Sequence, residues 1–143
     1  AALSESGQRG YLLTDPLAGG SLTAAAASFD AGEGDFTGFD AAIADLDGDG
    51  VADLAIGAPR DLYFAFDRPG QVAVFLGPLA PGPTPFDAAD LRFTGSDAPD
   101  MFGMTLDAGD LDGDGRADLV VGAPFDATQA VDAGAVYLFT DLF

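Results

Sequence analysis

The sequence predicts an all-β protein built from four-stranded antiparallel blades of the β-propeller type. Nearly the same passage of 16 residues occurs at 44–59 and at 109–124, without a gap and with an offset of 65 residues. Short apolar and β-branched runs flank each copy, and clusters of Gly, Pro and Asp separate these runs. A repeat of about 65 residues that holds four short strands is typical of a propeller blade.

The strands are predicted from apolar and β-branched runs between turn residues. They lie at 7–14, 21–29, 39–44, 53–57, 71–76, 91–94, 104–108, 118–122 and 135–140. For the second, a short helical turn at Ala24–Ala27 is the alternative. Residues 78–85 contain four prolines in eight positions and are predicted to be a connection, because proline cannot donate a backbone hydrogen bond.

The strands divide a single domain, residues 1–143, into three parts. Residues 1–35 form the end of a preceding blade, 36–95 a blade with the first acidic loop, and 96–143 a partial blade with the second. This is a little over two blades, and a ring needs roughly 4–8, so the chain is not expected to close a ring by itself. It could be a segment of a longer propeller, assemble with copies of itself, or form an open two-blade unit. Its last strand would offer an edge for pairing with another chain.

Each copy contains an acidic loop that we number from its first carboxylate, Asp45 or Asp110. Carboxylates occupy positions 1, 3, 5 and 9 of this loop, and glycines occupy positions 4 and 6. Glycine permits the positive φ values of a tightly wrapped loop, and Ca²⁺ takes about 6–8 oxygen ligands. The predicted ligands are Asp45, Asp47, Asp49, the carbonyl of Val51 and Asp53, and then Asp110, Asp112, Asp114, the carbonyl of Arg116 and Asp118. We therefore expect two Ca²⁺ sites. The alternative, a pair of solvated Asp/Gly turns, does not explain why the spacing recurs.

An EF-hand is excluded by the residue at position 12 of each loop. An EF-hand requires a bidentate Glu there, whereas these loops have Ile56 and Val121 inside apolar runs. A dockerin-type loop is excluded for the same reason. Each loop is expected to close at position 9, immediately before a strand.

The chain resembles the FG-GAP repeat family, the calcium-binding blades of integrin α-subunit propellers and their bacterial relatives. The name describes a Phe-Gly start and a Gly-Ala-Pro end. The second copy has Phe102-Gly103 and Gly122-Ala123-Pro124, and the first ends in Gly57-Ala58-Pro59. The first copy begins less typically, with Phe36-Thr37-Gly38-Phe39. The resemblance covers most of residues 36–143 and implies an extracellular or cell-surface setting.

Composition argues against several classes of function. The formal charge is -19, which repels nucleic acid and anionic membranes, and no apolar run approaches the roughly 20 residues that cross a bilayer. The chain has no His and no Cys, so it lacks the usual general base, the usual zinc ligands and any thiol. No phosphate-binding loop or nucleophile motif is present. These features predict that the protein is not an enzyme.

Three further groups of side chains are the aromatic residues, two Asp residues and the arginines. The first group is predicted to form the core between blades: Phe64, Phe66, Phe75, Phe125, Tyr137 and Phe139. Tyr63 and Phe64 could alternatively form a ligand platform. Asp126 and Asp132 are predicted to be solvated turn residues. The arginines are expected to pair with surface carboxylates: Arg60, Arg68, Arg92 and Arg116.

The sequence thus predicts a calcium-binding repeat module that acts in protein binding, adhesion or assembly, with structural Ca²⁺. Its partner would be another protein or copies of itself. The alternatives are a structural subunit that polymerises by completing strands between chains, and an accessory module of a secreted hydrolase, since propellers also host hydrolases and lyases.

Overall fold

The structure is a computed structural model that describes residues 9–12, 27–30, 36–59, 69–97, 100–130 and 133–143. Within these ranges it contains ten strands and one short 3-10 turn, Phe86–Ala88. The strands are β1 (Arg9–Leu12), β2 (Ala27–Asp30), β3 (Ala41–Ala44), β4 (Asp53–Ala58), β5 (Gln71–Phe75), β6 (Gly82–Pro85), β7 (Leu91–Thr94), β8 (Thr105–Gly109), β9 (Asp118–Ala123) and β10 (Ala135–Phe139). None of the helical segments in these ranges is long and apolar enough to span a membrane.

The strands form three sheets. The middle sheet has the order β3-β4-β5-β7 and is antiparallel throughout, as is the third sheet, β8-β9-β10. The first sheet has the order β1-β2-β6, in which β2 and β6 run parallel. The prediction of an all-β chain with four-stranded antiparallel and partial blade-like sheets is confirmed. The division of the chain at residues 35 and 95 stays a prediction.

The predicted connection at 78–85 is wrong in its second half, because Gly82–Pro85 is the strand β6. It lies at the edge of the first sheet beside β2, with Pro83 and Pro85 exposed. An edge strand tolerates proline, since the missing N–H need not reach a second neighbour. The sequence reveals the prolines but not the distant strand to which they pair.

The two central strands of the middle sheet, β4 and β5, are buried on both faces because each face packs against another sheet. On one face, Leu54 and Ile56 of β4 join Phe29 of the first sheet in one core. On the other face, Val72 and Val74 of β5 pack with residues of the third sheet. The third sheet contributes Leu106, Leu119, Val121 and Ala123 to that core, and Phe102, which precedes β8, joins them. All six residues of β4 are therefore buried.

The start of the second repeat approaches the end of the first closely enough that backbone atoms touch. A Cβ built on Gly57 would lie 2.1 Å from the carbonyl oxygen of Gly103, so no side chain fits there. Gly103 itself has a φ of 87° and donates its N–H to the carbonyl of Gly122 at 3.1 Å. The glycine of Phe-Gly and the glycine of Gly-Ala-Pro are thus the two sides of one close contact.

Four other predictions met different outcomes. Phe75 is buried, and Tyr137 and Phe139 pack against the core as expected, but Phe125 is 40% exposed. Asp126 is wrongly predicted to be solvated: it is 1% exposed and accepts hydrogen bonds from Thr128 and Tyr137. The predictions for Arg60, Tyr63, Phe64, Phe66, Arg68 and Asp132 concern positions outside the described residues. Of the described arginines, Arg92 pairs with Asp87 as expected.

Candidate metal centre

Asp45 organises the first acidic loop from its first position. One carboxylate oxygen accepts the Gly48 N–H at 2.7 Å, and the other accepts the Gly50 N–H at 2.9 Å. These bonds wrap the chain around the carboxylate. They need φ values of 81° at Gly48 and 86° at Gly50, which residues that carry a side chain rarely adopt. The two loop glycines are therefore explained by local geometry.

Two further carboxylates close short side-chain turns along the same loop. Asp47 accepts the N–H of Asp49 at 3.0 Å, and Asp49 accepts the N–H of Val51 at 2.7 Å. Asp side chains commonly bond to backbone N–H groups two residues further on. The Asp-x-Asp-x-Asp spacing thus folds the loop as well as lining it with oxygen.

Asp53, at position 9, anchors the loop to the sheet. It is the first residue of β4 and is 1% exposed. Its two oxygens accept the N–H of Leu46 at 2.7 Å and the N–H of Gly77 at 2.8 Å. A buried carboxylate needs such partners, since an uncompensated one is costly. The Gly77 bond joins residues 24 positions apart and was not foreseen from the sequence.

The second loop repeats these bonds at the equivalent positions. Asp110 accepts the N–H groups of Gly113 at 2.6 Å and Gly115 at 3.0 Å. Asp112 accepts from Asp114 at 3.0 Å, and Asp114 accepts from Arg116 at 2.8 Å. Asp118 is buried and accepts from Leu111 at 2.7 Å. The hydrogen bonds within the two loops are the same, so the repeated spacing specifies one loop conformation.

Three of the four predicted carboxylates converge in each loop. One oxygen each from Asp45, Asp47 and Asp53 lies within 4.8 Å of the other two, and the same holds for Asp110, Asp112 and Asp118. Asp49 is outside the first group and Asp114 is outside the second. Val51, whose carbonyl is a predicted ligand, is 38% exposed at the rim of the first loop.

Arg116 distinguishes the second loop from the first. Its guanidinium lies 2.9 Å from a carboxylate oxygen of Asp114 and 2.9 Å from one of Asp141, and it also donates to the carbonyl of Phe143. Hydrogen bonds from the backbone N–H and side chain of Arg116 lower the pKa of Asp114. The side-chain bond to Asp114 raises the pKa of Arg116 in turn.

Asp141 is a site residue that sequence reasoning missed. Its carboxylate lies within 4.8 Å of those of Asp112 and Asp114. It follows β10, outside the repeated passage, so no local spacing connects it to the loop. Only the fold brings it there.

The donor set suits a hard cation. Every converging side-chain atom is a carboxylate oxygen, which Ca²⁺ and Mg²⁺ prefer, and backbone carbonyls can complete the shell. Ile56 and Val121 are buried within β4 and β9, so neither loop has a twelfth-position ligand. The arrangement can hold a cation and order a β-hairpin.

Comparisons with known proteins agree with this architecture. The model of the FG-GAP repeat matches residues 37–75 and 102–139. Integrin alpha-7 of Rattus norvegicus is 45% identical over 96 residues, which are 66% of this chain and 8% of that protein. Integrin alpha-PS2 of Drosophila melanogaster is 36% identical over 118 residues, which are 74% of this chain and 8% of that protein.

A relative of another kind also matches. Phosphatidylinositol-glycan-specific phospholipase D of Dictyostelium discoideum is 28% identical over 106 residues, 71% of this chain and 11% of that protein. The chain therefore spans only about a tenth of the length of these relatives. With family-model matches to more than half of its residues, and an integrin α relative that aligns with about three quarters of it, the chain belongs to the FG-GAP repeat family.

Proposed function

We propose that this chain is a calcium-binding FG-GAP module that acts outside the cell in protein binding or adhesion, and that its ions are structural. The observation that carries the proposal is the pair of loops, each with three carboxylate oxygens within 4.8 Å. Without a cation, these like charges repel one another. A bound ion removes that repulsion and fixes the hairpin that begins each blade.

The proposed ligands of each ion follow the repeated loop. They are Asp45, Asp47, Asp49, Asp53 and the carbonyl of Val51 for one ion, and Asp110, Asp112, Asp114, Asp118 and the carbonyl of Arg116 for the other. Extracellular calcium is millimolar, which fills even sites with Kd values of roughly 10⁻⁴–10⁻³ M. At ten times its Kd, each ion would stabilise the fold by about 1.4 kcal/mol.

Calorimetric titration and thermal unfolding test the proposal. The chain is expected to bind two calcium ions and to melt several degrees lower in EGTA. Asp112→Ala is expected to bind one ion. Asp107→Ala removes an exposed carboxylate outside both loops and is the matched control, with stoichiometry unchanged. An unchanged melt in EGTA would remove the structural role, and wild-type stoichiometry in Asp112→Ala would remove the assigned ligands.

A second candidate function is assembly with copies of this chain. It is favoured by the outer face of the third sheet, which we define as Val120, Val136 and Leu138. Val136 is 74% exposed and Leu138 is 53% exposed, on a strand that also lies at a sheet edge. A partner chain that added a strand to β10 would cover the edge and shelter this face.

Light scattering at micromolar concentration tests assembly. The wild type is expected to be larger than a monomer, and Val136→Lys with Leu138→Lys is expected to be monomeric. Ile43→Lys is the control, since Ile43 is 64% exposed on an edge strand of another sheet. A monomeric wild type would exclude assembly and leave the calcium proposal unaffected.

We also propose that the chain is not itself an enzyme. It has no His and no Cys in its entire sequence, and its clustered carboxylates are assigned to metal. A role as the accessory module of a hydrolase is compatible with the match to a phospholipase D. Hydrolysis of a generic ester by the isolated chain would contradict the proposal.

A further inference from the structure

The two acidic loops are joined by a backbone hydrogen bond. The N–H of Ala117 donates to the carbonyl oxygen of Asp45 at 2.9 Å. Ala117 follows Arg116 in the second loop, and Asp45 is the first residue of the first loop. A contact between repeats is thus made at the residues that the metal proposal uses.

This bond is the middle of a longer path. The Ala117 N–H and the Arg116 carbonyl belong to one planar peptide group, so the orientation of one fixes the other. The Asp45 carbonyl and the Leu46 N–H form another such group, and that N–H donates to Asp53 at 2.7 Å. Two peptide groups in series therefore connect a proposed ligand of the second ion to a proposed ligand of the first.

The side chain of Arg116 makes a second contact between the loops. A Cβ built on Gly48 would lie 2.8 Å from Cγ and 3.0 Å from Cδ of Arg116. The aliphatic stem thus lies against the fourth position of the first loop, while the guanidinium holds Asp114 and Asp141 of the second. Ordering either loop restricts the other.

We propose that the two loops are thermodynamically coupled, so that a divalent cation in one raises the affinity of the other. This inference rests on the proposed function. An ion on the Arg116 carbonyl fixes that peptide plane and so directs the Ala117 N–H at Asp45. The first loop wraps around Asp45. Part of the free-energy cost of ordering the first loop is therefore already met before that loop binds its own ion.

Electrostatic repulsion between the two bound cations opposes this coupling, but salt screens the repulsion. Filling the second loop weakens the negative field that attracts a cation to the first. Both loops are largely exposed, so this term is screened over a Debye length of about 8 Å at physiological ionic strength. The hydrogen bond and the packing of Arg116 are contacts that salt does not screen, and the coupling is therefore positive.

Glycine-labelled protein provides a separate signal from each loop. The N–H groups of Gly48 and Gly50 bond to Asp45, and those of Gly113 and Gly115 bond to Asp110. Their amide resonances in an NMR titration with calcium report the two midpoints independently. Asp112→Ala is expected to raise the midpoint of the first loop roughly two- to tenfold, the equivalent of one hydrogen bond.

Reciprocity sharpens the test. Asp47→Ala must raise the midpoint of the second loop by the same factor, because a coupling free energy is shared. Ala117→Pro removes the joining N–H without a change of charge and is expected to raise the midpoint of the first loop. Asp107→Ala carries the same charge change as Asp112→Ala outside the loops and is the control, with both midpoints within about 1.5-fold of the wild type.

The outcomes separate the two proposals. The coupling is overturned if Asp112→Ala leaves the midpoint of the first loop unchanged. It is also overturned if the shift vanishes in about 0.5 M potassium chloride, where the Debye length is about 4 Å. Either result leaves the calcium-binding proposal intact. Shifts that persist in both reciprocal variants support it. If no loop glycine of the wild type responds to calcium, the proposed function fails and the coupling with it.

Discussion

Val72 and Val136 hold the same place in consecutive repeats, as do Val74 and Leu138, yet their surroundings differ completely. Val72 pairs with Gly57 and Val136 pairs with Gly122, one repeat later. The side chains of Val72 and Val74 are 0% exposed, whereas Val136 is 74% and Leu138 is 53% exposed. The strands and their apolar character are alike. In this fold, the burial of an apolar strand therefore depends on whether another sheet packs against it.

The largest expected effect separates the two faces of the third sheet. Leu119→Ala removes a side chain that is 0% exposed and is expected to lower the free energy of unfolding by about 2–5 kcal/mol. Leu138→Ala, on the outer face, is expected to cost less than about 1 kcal/mol because water already reaches the side chain. Urea unfolding measures both. Equal losses would mean that the outer face is covered in solution.

A polar substitution at equivalent positions sharpens the same contrast. Val72→Thr places a hydroxyl in the core between sheets, and we expect a loss of about 1–3 kcal/mol. Val136→Thr is expected to change stability by no more than about 0.5 kcal/mol. Matched thermal melts in calcium would detect the difference, and a costly Val136→Thr would contradict the exposed position.

The closing carboxylates of the loops differ by one bond. Asp53 accepts from both Leu46 and Gly77, whereas the only hydrogen bond recorded for Asp118 among the described residues is that from Leu111. Asn has a single acceptor oxygen, so Asp53→Asn leaves a buried N–H without its partner. In EGTA we expect Asp53→Asn to cost about 1 kcal/mol more than Asp118→Asn. Denaturant titration measures both, and equal costs would show that the Gly77 bond contributes nothing.

The smallest effect concerns Asp126, whose partners among the described residues are Thr128 and Tyr137 of the second repeat. Hydrogen bonds from the Thr128 hydroxyl, the Tyr137 hydroxyl and the Thr128 N–H lower the pKa of Asp126. A lowered folded-state pKa stabilises the fold above the ordinary value of 3.8, and that contribution is lost as the pH falls through the folded pKa. Tyr137→Phe should lower the melting temperature at pH 7, and the deficit should shrink as the pH falls below 3.8 and through the folded-state pKa of Asp126.

A deficit that stayed constant as the pH fell would show that the Tyr137 hydroxyl stabilises the ionised and the protonated forms of Asp126 equally, and would contradict the prediction. The ring contacts Phe102 with centroids 5.4 Å apart, and Tyr137→Phe retains that contact. The substitution therefore isolates the hydroxyl.

Local spacing made the strands and loops predictable. Strand β7 begins and ends as predicted, at Leu91–Thr94, and β4 and β9 begin at the predicted residues. The Asp and Gly positions of each loop specify its hydrogen bonds, because those bonds join residues that are close in sequence. Such features depend on few neighbours and can be read from the chain itself.

Contacts between distant residues were not predictable. The pairing of β6 with β2, the burial of Asp126 and the approach of Asp141 to the second loop each depend on where another sheet lies. The same is true of the bond between Ala117 and Asp45, which joins equivalent regions of two repeats. A single sequence shows which segments repeat, but the structure is needed to show how one repeat packs against the next.

The contact between Gly57 and Gly103 determines where this chain could be recombined with a relative. The second repeat presents the glycine of its Phe-Gly start, Gly103, to the glycine of the Gly-Ala-Pro end of the first repeat, Gly57, so the two sides of this contact lie in different repeats. A crossover within 95–97 would transfer an intact Phe-Gly start with its own acidic loop. A chimera joined there needs a glycine at position 57 of the receiving side and a donor sheet whose apolar face fits against Val72 and Val74.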